Sequence, residues 1–366
     1  MGQLVLRTII LKCKPASPVD EQLLSELCMY WCLWIRNYKR NKPLNAPGQY
    51  ARTIRGYSPS IVPLHPCLKR NQYELDFETG VLELKVVSGI ARMLIHHRSL
   101  RYLSKVVNEY PNVGLGQVMI IPPSKRRGKN WRVNILVYRK VELPSYRDII
   151  DSPKFIIIGL DRNACYRDFL SALLFNNVNG TFSIVYSGPL PAKPSHKYQF
   201  KRLRKARITG NTSIRTWRRI RNQNRGYSQT VRYLVTRLAR ELRGKYNCPV
   251  VIACEKLNLK RPPRNLPWYL RRLINVMCRS AKPFKNLAKW HGIRVVEVNS
   301  KGTSIVCWKC GGLGVKLIEK RLFYCPNCGY SNRDSNAAKV IAIKALIQMF
   351  KYADKANCGG VGRAAP

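Results

Sequence analysis

Acidic residues are scarce in this 366-residue chain. It carries 66 Lys and Arg against 19 Asp and Glu, which gives a formal net charge of +47. A chain this cationic repels itself unless a polyanion neutralises it. Nucleic acid is the first candidate partner, because Lys and Arg displace the counterions condensed on its phosphates. An anionic membrane surface is the second candidate.

Long apolar runs are also missing from the sequence. No stretch approaches the roughly 18 apolar residues of a membrane-spanning helix. The first residues, MGQLVLRTIILKCK, contain no small-residue cleavage site, and MGQLVL lacks the Ser or Thr that myristoylation requires at the sixth position. The thirteen cysteines are odd in number and unevenly spaced, unlike a secreted disulfide framework. We therefore expect no membrane partner and a reducing, cytoplasmic location.

Several common catalytic patterns are absent as well. The sequence has no G-x-S-x-G and no Walker A loop. None of its histidines forms a His-x-x-x-His or His-Cys pattern, so packing or surface roles are predicted for all five: His65, His96, His97, His196 and His291.

Two cysteine pairs form the most specific motif that is present. Cys307-x-x-Cys310 and Cys325-x-x-Cys328 are separated by fourteen residues, and glycine follows each pair. Two thiolate pairs on facing turns match tetrahedral Zn²⁺, with Zn–S distances of ~2.3 Å. Disulfides or idle thiols are the alternatives. Four cysteines leave no open coordination position, so the zinc of this predicted ribbon is structural and not catalytic.

The apolar pattern after Pro153 predicts an α/β domain. Three tightly joined strands come first, and the first of them is 155–161 (FIIIGLD). A basic helical region at 197–245, strand 249–257, helix 267–290, strand 293–299, the cysteine segment and a helix over 335–350 follow. This order is expected of a ribonuclease H-like sheet, in which the first and fourth strands are neighbours.

Three acids would meet at one edge of such a sheet. Asp161 ends the first strand, Glu255 lies in the fourth, and Asp334 begins the last helix. Clustered carboxylates can hold two Mg²⁺ ions roughly 3.5–4 Å apart, which activate water for phosphodiester hydrolysis. Each acid also has a plain alternative role: a turn residue, a surface residue and a helix N-cap, respectively. Their matching positions in an acid-poor chain favour the catalytic interpretation.

Basic segments predict contacts with nucleic acid. They are a loop at 122–130 and the helical region 197–245, in which Glu241 is the only acid. Arg can bind phosphates through two hydrogen bonds or stack on bases, although charge does not separate RNA from DNA. A solvated charged face is the alternative. The predicted contact residues are Lys125, Arg126, Arg127, Arg204, Arg215, Arg218, Arg219 and Arg225.

The sequence before residue 150 predicts a different architecture. It indicates a strand at 3–13, a helix from Glu21, a hairpin at 73–86 and a helix over 88–109. Two further strands flank the basic loop.

The C-terminal region contains three further motifs: Thr303-Ser304-x-x-Cys307-x-x-Cys310-Gly, Phe323-x-Cys325-x-x-Cys328-Gly and Arg333-Asp334-x-Asn336-Ala337-Ala338. Together they resemble the signature of the TnpB family, the RNA-guided nucleases of insertion-sequence transposons and presumed ancestors of type V CRISPR effectors. The Ile-Gly-Leu-Asp strand ending at Asp161 and the Glu-Lys-Leu-Asn-Leu motif beginning at Glu255 are similar too. The resemblance is strong from about residue 154 to 345.

The resemblance implies a mixed α/β fold. A RuvC-like sheet with an inserted zinc ribbon would follow an N-terminal β-barrel that carries a helical recognition insert. The implied domains are the barrel at 1–15 and 111–150, the recognition insert at 16–110, the nuclease at 151–302 and 331–351, the ribbon at 303–330 and a flexible tail at 352–366.

The resemblance also implies an activity. Asp161, Glu255 and Asp334 would bind catalytic Mg²⁺, and a guide RNA would pair with double-stranded target DNA next to a short motif that the protein reads. The implied enzyme is an RNA-guided DNA endonuclease of a transposable element. It would act as a monomer with its RNA, at the nucleoid of a prokaryotic cell.

One turn departs from the family pattern. The family has Gly two residues after the first acid, whereas this chain has Asp161-Arg162-Asn163. Asn tolerates left-handed backbone, and Arg162 could bind a phosphate or pair with Asp161. Two other functions stay open. One is a guide-RNA-directed DNA-binding repressor without cleavage, and the other is a zinc-ribbon nucleic-acid-binding protein without a guide.

Overall fold

The chain is organised as two compact units. The computed structural model describes residues 2–60, 62–124, 130–162, 167–192, 214–256, 281–317 and 321–358. The first unit is Gly2–Lys140 and the second is Val141–Pro366. The sequence predicts this boundary slightly later, at residues 150 and 151. Within the described ranges, no helix is long and apolar enough to cross a membrane.

A seven-stranded sheet forms the core of the first unit. Its order is β2-β6-β7-β1-β5-β4-β3, with β1 at the centre. On β1, Val5, Ile9, Leu11 and Cys13 are buried in the alternation expected of a strand with one core face. The strands are β1 (Gln3–Pro15), β2 (Cys67–Leu68), β3 (Tyr73–Leu75), β4 (Val81–Val86), β5 (Gly89–Ile95), β6 (Gly114–Ile121) and β7 (Trp131–Val141).

A side chain connects the two ends of this sheet. The hydroxyl of Tyr73, on edge strand β3, donates a hydrogen bond of 2.5 Å to the carbonyl oxygen of Gly116 on β6. Strand β6 is the neighbour of β2, the other edge strand. The sheet therefore approaches a closed barrel, in agreement with the β-barrel predicted for this part of the chain.

Three helices belong to the first unit: α1 (Pro18–Lys39), α2 (Gly48–Arg55) and α3 (His97–Asn108). Helix α1 begins at Pro18, three residues before the predicted start at Glu21, because Pro18 fits its first turn and the Ser17 side chain accepts a hydrogen bond from the Asp20 amide at 3.2 Å. Its buried face includes Leu24, Leu27 and Trp31.

The predicted helix over 88–109 is wrong in its first half. Residues Gly89–Ile95 form β5, which pairs with β1 and β4. Ala91, Met93 and Ile95 are buried at alternate positions, so the period of two was present in the sequence. The range 16–110 thus supplies strands β2 to β5 as well as three helices, and its predicted character as a helical insert is only partly correct.

The second unit contains a five-stranded sheet of order β10-β9-β8-β11-β12. Strands β10, β9 and β8 are antiparallel, whereas β8, β11 and β12 are parallel. The predicted pairing of the first and fourth strands is confirmed by β8 and β11. The strands are β8 (Lys154–Asp161), β9 (Phe169–Asn176), β10 (Thr181–Pro189), β11 (Val250–Glu255) and β12 (Arg294–Val298).

Helices cover both faces of this sheet. Within the part of this unit that the structure describes, the helices are α4 (Tyr146–Ile150), α5 (Ile214–Tyr246), α6 (Ala281–Trp290) and α7 (Arg333–Cys358). Helices α5 and α6 pack on one face, where Ile158 belongs to the same core cluster as Val235 and Ala288. Helix α7 packs on the other face, with Ile157 and Ile341 in a second core cluster. Because β8 is buried on both sides, its sequence is a continuous apolar run.

Helix α7 runs antiparallel to β8. Near its C-terminal end, Tyr352 stacks on Tyr146 of α4, which precedes β8, with ring centroids 5.4 Å apart. Nearer its start, the backbone at Ala338 lies directly against Gly159, so that a Cβ at position 159 would overlap the Ala338 carbonyl oxygen. The N-terminus of α7 is therefore at the carboxyl edge of β8.

A third, small sheet completes the second unit between β12 and α7. Its strands are β13 (Val315–Leu317), β14 (Leu322–Cys325) and β15 (Gly329–Asn332), which pair antiparallel in that order. Of the second cysteine pair in the predicted ribbon 303–330, Cys325 ends β14 and Cys328 lies in the turn before β15.

We expect Gly159→Ala to destabilise the second unit by about 2–3 kcal/mol, because the added methyl group must push α7 away from β8. Gly226→Ala is the matched control, since a Cβ at position 226 of α5 meets nothing within 4 Å. It should stabilise the helix by up to ~1 kcal/mol. Denaturant unfolding of both variants measures the difference, and equal midpoints would contradict the close packing of α7.

Candidate functional site

The carboxyl ends of β8 and β11 bring two of the predicted acids side by side. Leu160 of β8 pairs with Cys254 of β11, so Asp161 and Glu255 are the next residues along the two parallel strands. Asp161 is the last residue of β8, opposite Phe169 of β9, and is only 8% exposed.

Glu255 is held by a threonine from the ribbon. The Thr303 hydroxyl donates a hydrogen bond of 2.6 Å to Glu255 Oε1, and Thr303 itself is buried. Burial raises the pKa of Glu255 above its usual range, while the hydrogen bond from Thr303 and the charges of Lys344 and Lys316 act in the opposite direction. A buried carboxyl group with this balance favours a nearby cation when it is ionised.

Asp334 lies in the first turn of α7 and is 7% exposed. Arg321 of the ribbon contacts its Oδ2 atom through two nitrogens, with Nε at 3.1 Å and Nη2 as the second donor. Arg333 Nη2 lies 3.5 Å from Oδ1. Both oxygens of this carboxylate are thus next to a guanidinium group.

The alternative role of Asp334 as the helix N-cap is wrong. The side-chain oxygen of Asn332 accepts hydrogen bonds from the backbone amides of Asp334, at 3.1 Å, and Ser335, at 2.9 Å. Asn332 therefore satisfies the free amides at the start of α7. The carboxylate of Asp334 is not needed for that purpose.

The three acids share one edge of the sheet, as expected, but they do not form a tight ligand cluster. Among the residues that the structure describes, the only group of three or more potential metal ligands within 4.8 Å of one another is the set of four cysteines. Convergence of Asp161, Glu255 and Asp334 on shared metal ions stays a prediction.

The chemistry of this edge nevertheless suits a divalent cation. Its carboxylates are hard oxygen donors of the kind that Mg²⁺ prefers. Asp161 and Asp334 are almost fully buried, and a buried carboxylate requires compensating positive charge. The guanidinium groups of Arg321 and Arg333 provide that charge at Asp334, where a bound cation could provide it instead.

The four ribbon cysteines form a group that could hold one metal ion. The Sγ atoms of Cys307, Cys310, Cys325 and Cys328 all lie within 4.8 Å of one another. The first turn is closed by the Gly311 amide, which donates to the Cys307 carbonyl oxygen at 2.9 Å. Gly311 and Gly329 have φ angles of +74°, a conformation that glycine adopts without strain.

The thiols influence one another strongly. Hydrogen bonds from the Gly312 amide and then from neighbouring thiols lower the pKa of Cys310 to about 7. The hydrogen bond with Cys310 raises the pKa of Cys328 to about 12. The lowered pKa of Cys310 favours its thiolate, which is the form of cysteine that binds metal.

The ribbon is attached to the first turns of α7. The Asn336 side chain donates to the Val306 carbonyl oxygen at 2.8 Å and accepts from the Trp308 amide at 3.1 Å. The Lys339 ammonium lies 4.4 Å from the centroid of the Trp308 ring. These contacts fix the position of the ribbon relative to the helix that carries Asp334.

Two residues at this edge have no role assigned in the sequence prediction, Thr303 and Arg321. Thr303 is part of the quoted TnpB-like motif, so the motif contained a signal for it. Arg321 is thirteen residues before Asp334, and no pattern connects the two residues in the sequence.

Arg162, the residue that departs from the family pattern, lies close to helix α5. Burial and then the charge of Arg162 lower the pKa of Arg232 on that helix. The Tyr227 hydroxyl of α5 also lies within the influence of Arg162, and it donates to the buried carboxylate of Asp168 at 3.2 Å. Asn163 is outside the described residues.

The predicted nucleic-acid contacts are only partly described. Arg218, Arg219 and Arg225 are exposed on α5, as a contact surface requires. Arg215 belongs to the same helix. Four of the predicted residues lie outside the described ranges: Lys125, Arg126, Arg127 and Arg204.

Comparison with known proteins identifies the ribbon region. Residues 283–341 match the family model described as the Cas12f1-like TNB domain. The predicted ribbon 303–330 lies inside this match. A TnpB-like protein of Aquifex aeolicus (strain VF5) is 28% identical over 262 residues, which covers 66% of this chain and 80% of that protein.

Two solved structures of Cas12 effectors align with parts of this chain. The Cas12f1 chain of an sgRNA and target-DNA complex is 14% identical, with a TM-score of 0.43, over 88% of this chain and 82% of that chain. CasPhi-2 (Cas12j) bound to crRNA is 12% identical, also with a TM-score of 0.43, over 73% of this chain. The matched region spans 61% of the length of CasPhi-2.

The domain match at 283–341 contains the three C-terminal motifs that carry the resemblance. The resemblance to the TnpB family that the sequence predicts is therefore confirmed.

Proposed function

We propose that this chain is an RNA-guided DNA endonuclease that hydrolyses a phosphodiester bond at the carboxyl edge of β8 and β11. The observation that carries the proposal is the arrival of Asp161, Glu255 and Asp334 at that edge from three distant parts of the chain. The sheet order supports a RuvC-like nuclease, interrupted by the ribbon between β12 and α7. The TnpB-like relative supports an RNA guide.

Asp161, Glu255 and Asp334 would hold the catalytic metal. Bound Mg²⁺ supplies an activated water and stabilises the leaving oxygen of a phosphodiester. The strand ends fix Asp161 and Glu255 on rigid backbone, which suits a site that must be positioned closely. The Thr303 hydroxyl orients Glu255. The contact of Gly159 with α7 determines how closely this helix packs on β8, and thereby the position of Asp334.

The exposed arginines of α5 would contact the guide or the heteroduplex. Arg218, Arg219 and Arg225 lie on a helix that is 33 residues long, or about 50 Å at 1.5 Å per residue. A basic helix of this length can follow a nucleic-acid backbone without reading bases. Sequence recognition would then come from base pairing with the guide.

A second candidate is a guide-directed DNA binder that does not cleave. The observation that favours it is the occupation of both Asp334 oxygens by Arg321 and Arg333. Such a protein would need the α5 surface and the ribbon but no catalytic metal. The first experiment below separates the two functions.

Asp161→Asn should reduce target-DNA cleavage by at least about 100-fold, because it removes a metal ligand. The RNA that copurifies with the protein is sequenced, and matching DNA with randomised flanks is offered with Mg²⁺. Asp354→Asn, an exposed acid on α7, is the control and should cleave normally. Binding without cleavage by the wild type would support the non-cleaving alternative, and random RNA fragments would contradict the guide.

Each chain should contain one zinc ion, and its removal should expose the ribbon to protease. Zinc is proposed because the Sγ atoms of four cysteines lie within 4.8 Å of one another, as a tetrathiolate site requires. Metal analysis and limited proteolysis after chelation measure this. Cys310→Ser should lose the metal, whereas Cys32→Ser, an exposed cysteine of α1, should keep it. Unchanged zinc content in Cys310→Ser would contradict the site.

Arg218→Gln and Arg219→Gln should each weaken RNA binding and reduce its logarithmic salt slope by about 1, because each removes one phosphate contact. Arg237→Gln is the matched control on the same helix. Its charge is already paired with Glu241 at 2.7 Å, so a smaller change is expected. Filter binding over a salt series measures the slopes, and identical losses in all three variants would argue against a specific surface on α5.

A further inference from the structure

The side chain of Arg321 lies where a metal ion would need to approach Asp334. Its Nε and Nη2 atoms both donate to Asp334 Oδ2. The side chain of Arg321 is 25% exposed and that of Asp334 is 10% exposed. Arg333 contacts the other oxygen from 3.5 Å, which is a weaker interaction. Of the two guanidinium groups, Arg321 is therefore the one that competes most directly for the carboxylate.

The backbone holds Arg321 in this position. Its φ angle is +51°, in the left-handed region that is costly for residues other than glycine. Its carbonyl oxygen accepts a hydrogen bond of 3.1 Å from the Arg333 amide, at the start of α7. The residue is thus tied to α7 by its main chain as well as by its side chain.

The ion pair has no capping role that would explain it. Asn332 already accepts from the first amides of α7, so Asp334 is available for another positive partner. One partner is Arg321, and the proposed catalytic metal is another. A guanidinium group and a divalent cation cannot both approach the same oxygen closely, because their charges repel at this distance.

The geometry points to Arg321 as a latch that competes with the catalytic divalent ion for Asp334. This inference rests on the proposed function. The latch is defined as the Arg321–Asp334 ion pair, and only molecules with an open latch bind the metal. The apparent metal affinity is therefore the affinity of the open site multiplied by the fraction of molecules in which the latch is open. The coupling is reciprocal, so metal binding favours the open latch.

Opening of the latch should also loosen part of the ribbon. Arg321 directly precedes β14, which carries Phe323 and Cys325 in the ribbon core. Release of Asp334 removes the side-chain tie that holds this strand to α7. Metal loading at the carboxyl edge would thereby loosen the start of β14 while the four cysteines keep the zinc.

The test compares Mn²⁺ binding to the full-length, zinc-loaded wild type, Arg321→Gln, Arg321→Lys and Lys351→Gln. Binding at this edge is taken as the part that is lost in Asp161→Asn. We expect Arg321→Gln to bind Mn²⁺ about tenfold more tightly, since the competing charge is gone. Lys351→Gln removes an exposed charge from the same helix and should match the wild type. Arg321→Lys keeps the charge and should stay within about threefold of the wild type.

Hydrogen exchange gives a readout that does not depend on affinity. In the wild type, Mn²⁺ should accelerate amide exchange over Leu322–Cys325, whereas in Arg321→Gln exchange should be fast with or without the ion. Thermal unfolding establishes that each variant is folded, and an Arg321→Gln chain that does not fold is replaced by Arg321→Met.

The outcomes distinguish failure of the latch from failure of the proposed function. Tighter binding by Arg321→Gln together with unchanged Lys351→Gln supports the latch. Equal or weaker binding by Arg321→Gln, or an equal gain in Arg321→Lys, overturns the latch and leaves the metal site intact. Absence of Asp161-dependent Mn²⁺ binding in every variant overturns the proposed function, and the latch with it.

Discussion

The contact between Gly159 and Ala338 is the constraint on which the candidate site depends. With no side chain at position 159, the backbone of α7 rests directly on β8. From this point, Asp161 is two residues further along the strand, about 6.6 Å away, and Asp334 is four residues back along the helix, about 6 Å away. Because the two elements are antiparallel, both acids advance by nearly the same distance toward the same edge.

The ribbon gives that edge a second support. It begins next to Thr303, which holds Glu255, and its hairpin carries Arg321, which holds Asp334. Asn336 then fastens it to α7 through two hydrogen bonds with the first cysteine turn. A single insert thus touches two of the three acids. The four cysteines that could hold a metal ion therefore lie in the framework that orients the proposed catalytic groups.

Local pattern predicted much of this arrangement. The uninterrupted apolar run of β8 indicated a strand covered on both faces, and the cysteine spacing indicated a four-thiol cluster. The period of two in Gly89–Ile95 is present in the sequence, but a short apolar stretch next to a helix is ambiguous until its partners β1 and β4 are known.

Tertiary contacts are harder to predict from the sequence. Nothing near Arg321 indicates that its side chain reaches Asp334, because that contact requires the hairpin turn and the start of α7 to be adjacent. The alternative in which Asp334 is the N-cap of α7 is wrong for a similar reason. Asn332 and Asp334 are both good capping residues, and only the backbone geometry shows which one accepts the amides.

The position of α7 in the sequence also affects how the chain folds during synthesis. One face of β8 is covered by a helix that the ribosome synthesises more than 170 residues later, after the ribbon. Until then the growing polypeptide displays an apolar sheet surface, and Asp161 has no partner from α7. A nascent or truncated chain that lacks α7 therefore cannot bring Asp334 to the edge where Asp161 and Glu255 lie.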